Sequence, residues 1–276
     1  MKRIVTALVL IPIVLVLVFL GPRWQWLFTM AVAAVTALAG WEYMGLAERE
    51  GFKPPRIAVL VALLTLFAGN FQWPDRTLAI FGVLSLGLLV YCTFLSPIEQ
   101  VMADASASIF CLVYIGFTMM ALPALREETN GPSLVAFLLC VVWGGDTAAL
   151  YIGRALGRHK LAPTISPNKS WEGAFGSVAG SLAAVGILLG LASLAERWDS
   201  AKLSFPDEWW YWLLLAVVVN IAAQVGDLTE SALKRSAGVK DSGTLLPGHG
   251  GVLDRVDALL LAAPVLWYAQ LIHSRF

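Results

Sequence analysis

An all-α, polytopic integral membrane protein is the fold class this sequence predicts, and three observations predict it. Of the 276 residues, 58% are hydrophobic and only 14% are charged, and the mean hydropathy is +0.75. Soluble domains carry about 25% charged residues, so this chain has too few charges to coat a globule of its size. The apolar residues fall into nine stretches, most of them near the roughly 20 residues a helix needs to cross hydrocarbon. No stretch is polar enough for a separate soluble domain. Residues 1–276 therefore read as a single membrane domain, with N-terminal transmembrane helices over 1–130 and a C-terminal part, 131–276, in which longer loops join the helices.

The nine expected spans are 4–20, 24–47, 57–73, 77–95, 102–123, 133–153, 172–194, 208–233 and 252–272. The first, behind Met1-Lys2-Arg3, resembles a signal peptide, but Gly21-Pro22-Arg23-Trp24 follows instead of a small-residue cleavage site. It reads as an uncleaved transmembrane helix. The break between the third and fourth spans is short, and Pro74 suits a turn there. Cys92, Cys111 and Cys140 lie inside apolar runs without metal-type spacing and read as small buried hydrophobes. Gly153/Gly157 and Gly176/Gly180 have the spacing of closely packed helices.

Net charge is zero, so bulk charge indicates no partner and nothing points to a nucleic acid. Charge distribution says more. With the N-terminus in the cytoplasm, 13 of the 19 Lys and Arg residues fall on the cytoplasmic side and 6 on the outer side. The positive-inside rule then predicts a cytoplasmic N-terminus. Two of the cytoplasmic loops, near 154–171 and 234–251, are basic and rich in Gly and Pro. These loops point to the C-terminal half as the working part.

Ionisable residues inside spans are costly and by default mark function. Asp146 lies seven residues before Gly153, and Asp227 seven before Lys234. At about 1.5 Å per residue both sit roughly 10 Å below the cytoplasmic surface. Asp254 and Asp257 enter from the same side, three residues apart and near one helix face. Four carboxylates at similar depth predict a shared site for a hard divalent cation such as Mg²⁺, which takes oxygen ligands. The competing reading makes them structural ion pairs with Lys234, Arg235 and Arg255, or helix caps. Glu42 and Asp104, near cytoplasmic ends, are read as snorkelling or hydrogen-bonded.

Ser166-Pro-Asn-Lys-Ser-Trp-Glu-Gly173 opens the seventh span, and Gly248-His-Gly-Gly-Val-Leu-Asp254 the ninth. Helix N-termini present free N–H groups and a positive dipole end to anions. Lys169, Lys234, Arg235, Lys240 and Arg255 add positive charge, so the loops suit a polyphosphate with Mg²⁺. His249 is a candidate acid, base or phosphate contact. For single lysines the alternative is ordinary topology, and for the Gly-His-Gly-Gly run a tight turn. Neither a P-loop nor a Rossmann glycine pattern is present.

The segment from Ser231 to Asp257 contains S-x-L-K-R, then K-D at Lys240-Asp241, then H-G-G at His249-Gly250-Gly251, then D-R-V-D from Asp254. It resembles the signature of the phosphatidate cytidylyltransferases (CDP-diacylglycerol synthases) at every specified position. Asp146-Thr, Tyr151, Gly153 and the 166–173 segment are also similar to that family. Asn168 departs, because many members carry a basic residue there. The resemblance spans about 140–260, and the first 130 residues match only in character.

The resemblance implies Mg²⁺-dependent transfer of a cytidylyl group from CTP to phosphatidic acid at the cytoplasmic face of a bacterial inner membrane. It implies Asp227 and Asp254 as metal ligands with Asp146 and Asp257 near them, and Asp227, Asp254, Lys234 and Arg235 as the catalytic set. Ser166, Lys169, Lys240, Asp241, His249, Gly250, Gly251 and Arg255 would bind substrate. A second, monovalent cation such as K⁺ and a homodimer are further implications. The rival readings are a CTP-dependent lipid-alcohol kinase, which would release CDP, and an ion-coupled transporter, which would place carboxylates near the midplane or on both sides.

Overall fold

Long apolar runs bounded by Pro, Gly and basic residues become helices in the computed structural model, which describes residues 2–197, 203–245 and 250–273. In chain order the helices are α1 (Lys2–Phe19), α2 (Gln25–Arg49), α3 (Arg56–Gln72), α4 (Thr77–Leu95), α5 (Val101–Cys111), α6 (Ala121–Glu127), α7 (Gly131–Leu156), α8 (Trp171–Arg197), α9 (Trp209–Ser236) and α10 (Leu253–His273). Among the described residues seven spans are long and apolar enough to cross a membrane, and Leu10–Phe19 and Arg56–Gln72 are shorter apolar helices. All nine expected stretches are thus helical, and the chain is an all-α polytopic membrane protein.

The chain divides into two units. The first holds Met1–Leu8, Trp26–Met120 and Leu233–Val256. Here α3 and α4 are joined by a 3₁₀ turn over Pro74–Arg76, with the Thr77 hydroxyl donating to Asn70 Oδ1 at 2.7 Å, as Pro74 predicts. α4 turns apolar side chains outward, including Leu78, Val83 and Phe94. Outward apolar faces of this extent require a lipid cover. After α5 the fifth span passes through a π-helical segment, Leu112–Phe117, where Gly116 packs against Leu63. Cys92 and Cys111 are buried free thiols, as their apolar setting predicts. α2 ends in a Schellman motif: Gly51, at φ +90°, donates to Glu48 and Phe52 to Ala47.

Glu42 and Asp104 do not snorkel. Asp104 is buried and accepts the Lys53 amide N–H at 2.6 Å and the Ser96 hydroxyl at 2.7 Å. It fastens the two loops beside it. Glu42 is buried as well.

The second unit holds Val9–Gln25, Ala121–Ala232 and Asp257–Phe276. α7 and α8 pack through small residues. A Cβ at Gly180 would overlap Ala148 and lie 2.6 Å from the Gly144 carbonyl oxygen, and one at Gly176 would crowd Ile152. Gly180→Leu is expected to force the helices apart and cost about 1–3 kcal/mol of overpacking strain. Thermal unfolding in detergent measures it, and an unchanged midpoint would contradict the close approach.

The 154–171 segment is more ordered than a plain loop. It forms a short antiparallel hairpin, β1 (Lys160–Ala162) with β2 (Ser166–Ser170), pairing Lys160 with Ser170 and Ala162 with Ser166. Pro163 occupies the second position of a turn closed by the Ile165 N–H to the Ala162 carbonyl, 3.2 Å. Glu172, in the first turn of α8, ties down the hairpin base. It accepts the backbone N–H groups of Arg158 (3.1 Å) and His159 (3.2 Å) and contacts His159 Nδ1 at 2.6 Å.

Candidate active site

α7, the hairpin, α8 and α9 enclose a cavity of about 680 Å³ in the second unit. Its wall includes Asp146, Arg154, Asn168, Lys169, Gln224 and Asp227. Each reaches the wall for a local reason. Asp146 sits on α7 within the small-residue stretch that packs on α8. Lys169 projects from β2, held in place by the hairpin and by Glu172. Asp227 follows Gly226, at which any Cβ would lie 2.6 Å from the Asp257 carbonyl oxygen. That glycine lets α10 approach α9 closely beside the carboxylate.

Lys169 Nζ contacts Asp227 Oδ2 at 2.7 Å, with both side chains partly exposed. Asp227 Oδ1 faces the Ser231 hydroxyl at 3.4 Å. A cation and a carboxylate that remain partly exposed on a cavity wall can exchange partners for an incoming phosphate and its counter-ion. A fully buried pair could not do so cheaply.

Beneath this cavity a polar network joins three helices. Asn220, almost fully buried, donates to Ser177 Oγ (2.9 Å) and Ser181 Oγ (2.7 Å). Ser181 donates to the Val141 carbonyl at 2.6 Å. Gln224 donates to Asn220 Oδ1 at 2.7 Å and to the Ala174 carbonyl at 3.2 Å. Within an apolar bundle such bonds fix helix register. The sequence reading missed these residues. Their signal was the spacing 220, 224, 227, which places all three on one face of α9.

The first unit carries the other cluster. Lys234, near the end of α9, contacts Asp254 Oδ1 at 2.6 Å, both side chains being buried. Asp254 Oδ2 accepts the Gly251 N–H (2.7 Å) and the Ser242 N–H (3.0 Å), and the Ser242 hydroxyl lies 3.0 Å away. Gly250 has φ +79°, and a Cβ there would come within 2.6 Å of Asp254 Oδ2. The tight-turn reading fits Gly250, and the ion-pair reading fits Asp254 with Lys234. α9 itself ends in a second Schellman motif, with Gly238 at φ +68° donating to Arg235 and Val239 to Lys234. Arg235, exposed, also donates from Nη1 to the Val239 carbonyl at 2.9 Å.

The expected residues are thus distributed as follows. Asp146, Lys169 and Asp227 share the cavity. Lys234, Gly250, Gly251 and Asp254 form the loop cluster with Ser242. Asp257 belongs to the second unit and accepts the Ala258 N–H at 2.8 Å. Lys240, Asp241 and Arg255 are exposed. Ser166 pairs within the hairpin and is not part of the cavity wall. His249 lies outside the described residues.

A divalent ion was expected among the four aspartates. In neither unit do three or more Asp, Glu, His or Cys side chains, among the described residues, converge as a ready-made cage. Mg²⁺ seldom needs one: it commonly takes one or two carboxylates and completes its shell with water and substrate phosphates. Asp227 and Asp146, both reaching one open cavity, fit that pattern. Asp254 is enclosed by the Lys234 ammonium and three further donors.

Comparison with known proteins gives one consistent result. The profile of the cytidylyltransferase family matches residues 1–273. A phosphatidate cytidylyltransferase of Brucella suis is 37% identical over 266 residues, 96% of this chain and 91% of that protein. One from Pseudomonas aeruginosa is 36% identical and covers 97% of each chain. Another, from a Synechocystis species, is 33% identical over 97% of this chain and 95% of its own. With a signature, a carboxylate–lysine cavity and full-length similarity in agreement, the chain belongs to the cytidylyltransferase family.

Proposed function

We infer that the protein transfers the cytidylyl group of CTP to phosphatidate, releasing pyrophosphate and forming CDP-diacylglycerol. Family membership supports the reaction, and the cavity walled by Asp146, Lys169 and Asp227 is the observation that carries its placement. An oxygen of the phosphatidate phosphate attacks the α-phosphorus of CTP in line. One phosphorus–oxygen bond forms while the bond to the β-phosphate breaks, and pyrophosphate leaves with its electron pair. The nucleophile is already anionic, so no strong base is required.

Catalysis then rests on positioning and charge neutralisation. Lys169 leaves Asp227 for a phosphate oxygen as the triphosphate enters, and Arg154 adds positive charge from the same wall. Asp227 and Asp146 would hold Mg²⁺, which when bound neutralises charge on the reacting phosphates. Within the first unit Lys234 pairs with Asp254, which holds the Ser242 and Gly251 backbone, and the exposed Lys240 and Arg235 add positive charge there. The proposed orientation has the N-terminus and both basic loops in the cytoplasm, where CTP is available, in a bacterial inner membrane.

Lys240→Ala is expected to raise the KM for CTP or phosphatidate several-fold with kcat little changed, and unchanged kinetics would leave Lys240 a topological charge. The reaction itself is tested with CTP labelled at the α- or the γ-phosphate. Label from the α position should enter the lipid phase only when phosphatidate is supplied, and label from the γ position should remain in water. Lipid labelled from the γ position would mark a CTP-dependent lipid-alcohol kinase instead.

A further inference from the structure

Glu42 lies on α2, about two turns before that helix ends, and its side chain is buried. One oxygen, Oε2, accepts the Leu253 N–H at 2.8 Å and lies 3.1 Å from the Ser242 hydroxyl. Leu253 is the first residue of α10, so its N–H is one of the donors a helix start leaves without an intrahelical acceptor. A carboxylate there is also favoured by the helix dipole. Glu42 therefore caps α10 from a helix 211 residues away in sequence.

The loop closes on Glu42 from two sides. A Cβ at Gly243 would overlap the Glu42 carboxyl group through Oε1 and Cδ, and one at Gly251 would overlap Glu42 Oε2 and Ser242 Oγ. The Ser242 hydroxyl lies within hydrogen-bond distance of both Glu42 Oε2 and Asp254 Oδ2. Glu42, Ser242, Asp254 and Lys234 thus form one connected set within the first unit.

We propose that Glu42 is a positioning residue for the reaction inferred above: it sets Ser242, Gly243 and the 250–253 segment, and through them Asp254 and Lys234. The proposal rests on that functional reading for its kinetic consequences and on the loop geometry for its structural ones. The role is one of acceptance at Oε2. Oε1 is buried and makes no hydrogen bond among the described residues, so an amide nitrogen can take its place without loss of a bond.

The test uses the full-length enzyme purified in detergent. Glu42→Gln should keep kcat within about three-fold of wild type, whereas Glu42→Ala should lower it by about 100-fold, the scale of a misplaced catalytic group. Gly243→Ala, which displaces Glu42, should lower kcat alone and add nothing in the Glu42→Ala background.

Hydrogen exchange of the 250–256 amides, measured on the same preparations, should quicken in Glu42→Ala and remain slow in Glu42→Gln. That readout needs no turnover, so an inactive wild type would defeat the functional reading while the anchoring is still decided. Glu42→Gln as inactive as Glu42→Ala would overturn the proposal in favour of a required charge. Wild-type kcat and slow exchange in Glu42→Ala would overturn it outright. Should Glu42→Ala fail to assemble, Glu42→Gln and Gly243→Ala decide: an active Gln variant with a slow Gly243→Ala supports the proposal, and the reverse ends it.

Discussion

Asp227→Asn is expected to assemble normally and to lose roughly two to three orders of magnitude in kcat, the effect of removing one preorganised electrostatic group from a phosphate-transfer site. The side chain keeps its volume, and Ser231 can still approach it, so the helix bundle has no reason to change. What disappears is the negative charge that holds Lys169 at 2.7 Å and that would attract a cation to the phosphates. The loss should appear equally in kcat and kcat/KM, as for an interaction made mainly in the transition state. Raising Mg²⁺ should recover little of it. Near-normal turnover would remove Asp227 from the reaction and leave the Lys169 contact a structural ion pair.

The second large effect is expected at Asp254, and its origin is different. Asp254→Asn withdraws charge from a buried ammonium, Lys234 Nζ, that it contacts at 2.6 Å. Breaking a buried ion pair costs up to about 3–5 kcal/mol, so the unfolding midpoint in detergent should fall by several degrees, at about 2–4 °C per kcal/mol for a chain of this order of size. Adding Lys234→Met should return most of that stability, because an apolar side chain of similar length replaces the stranded charge. Activity should stay low in the double variant, since the loop has lost its organising pair. A double variant no more stable than Asp254→Asn would show that the pair contributes little.

The two aspartates were alike to the sequence reading, each a carboxylate beneath a basic loop, and the structure separates them by surroundings. Asp227 is partly open and reaches a cavity wall. Asp254 is enclosed by Lys234, the Ser242 and Gly251 amides and the Ser242 hydroxyl. Spacing along a chain states which residue types are available at which depth. It does not state how many donors will converge on each.

The helices were legible because each apolar run is ended by Pro, Gly or basic residues, and lipid-facing surface tolerates no other long element. The β-hairpin was not legible. Its strands are three and five residues long and contain Pro167 and no alternating apolar pattern. Asn220 and Gln224 were overlooked as isolated amides in an apolar run, although their spacing from Asp227 marks one helix face. The link from Glu42 to Leu253 crosses most of the chain, and local periodicity carries no information about such a contact. Gly243 and Gly251 read as loop flexibility in the sequence, but in the structure they are close approaches to one carboxylate.

The account is tested most directly by purifying the protein, supplying CTP, phosphatidate and Mg²⁺, and quantifying both products in wild type and Asp227→Asn. The expected result is CDP-diacylglycerol and pyrophosphate in equal amounts from the wild type, with both nearly abolished in the variant. CDP released in place of pyrophosphate, cation flux without any CTP-dependent lipid product, or full product formation by Asp227→Asn would contradict it.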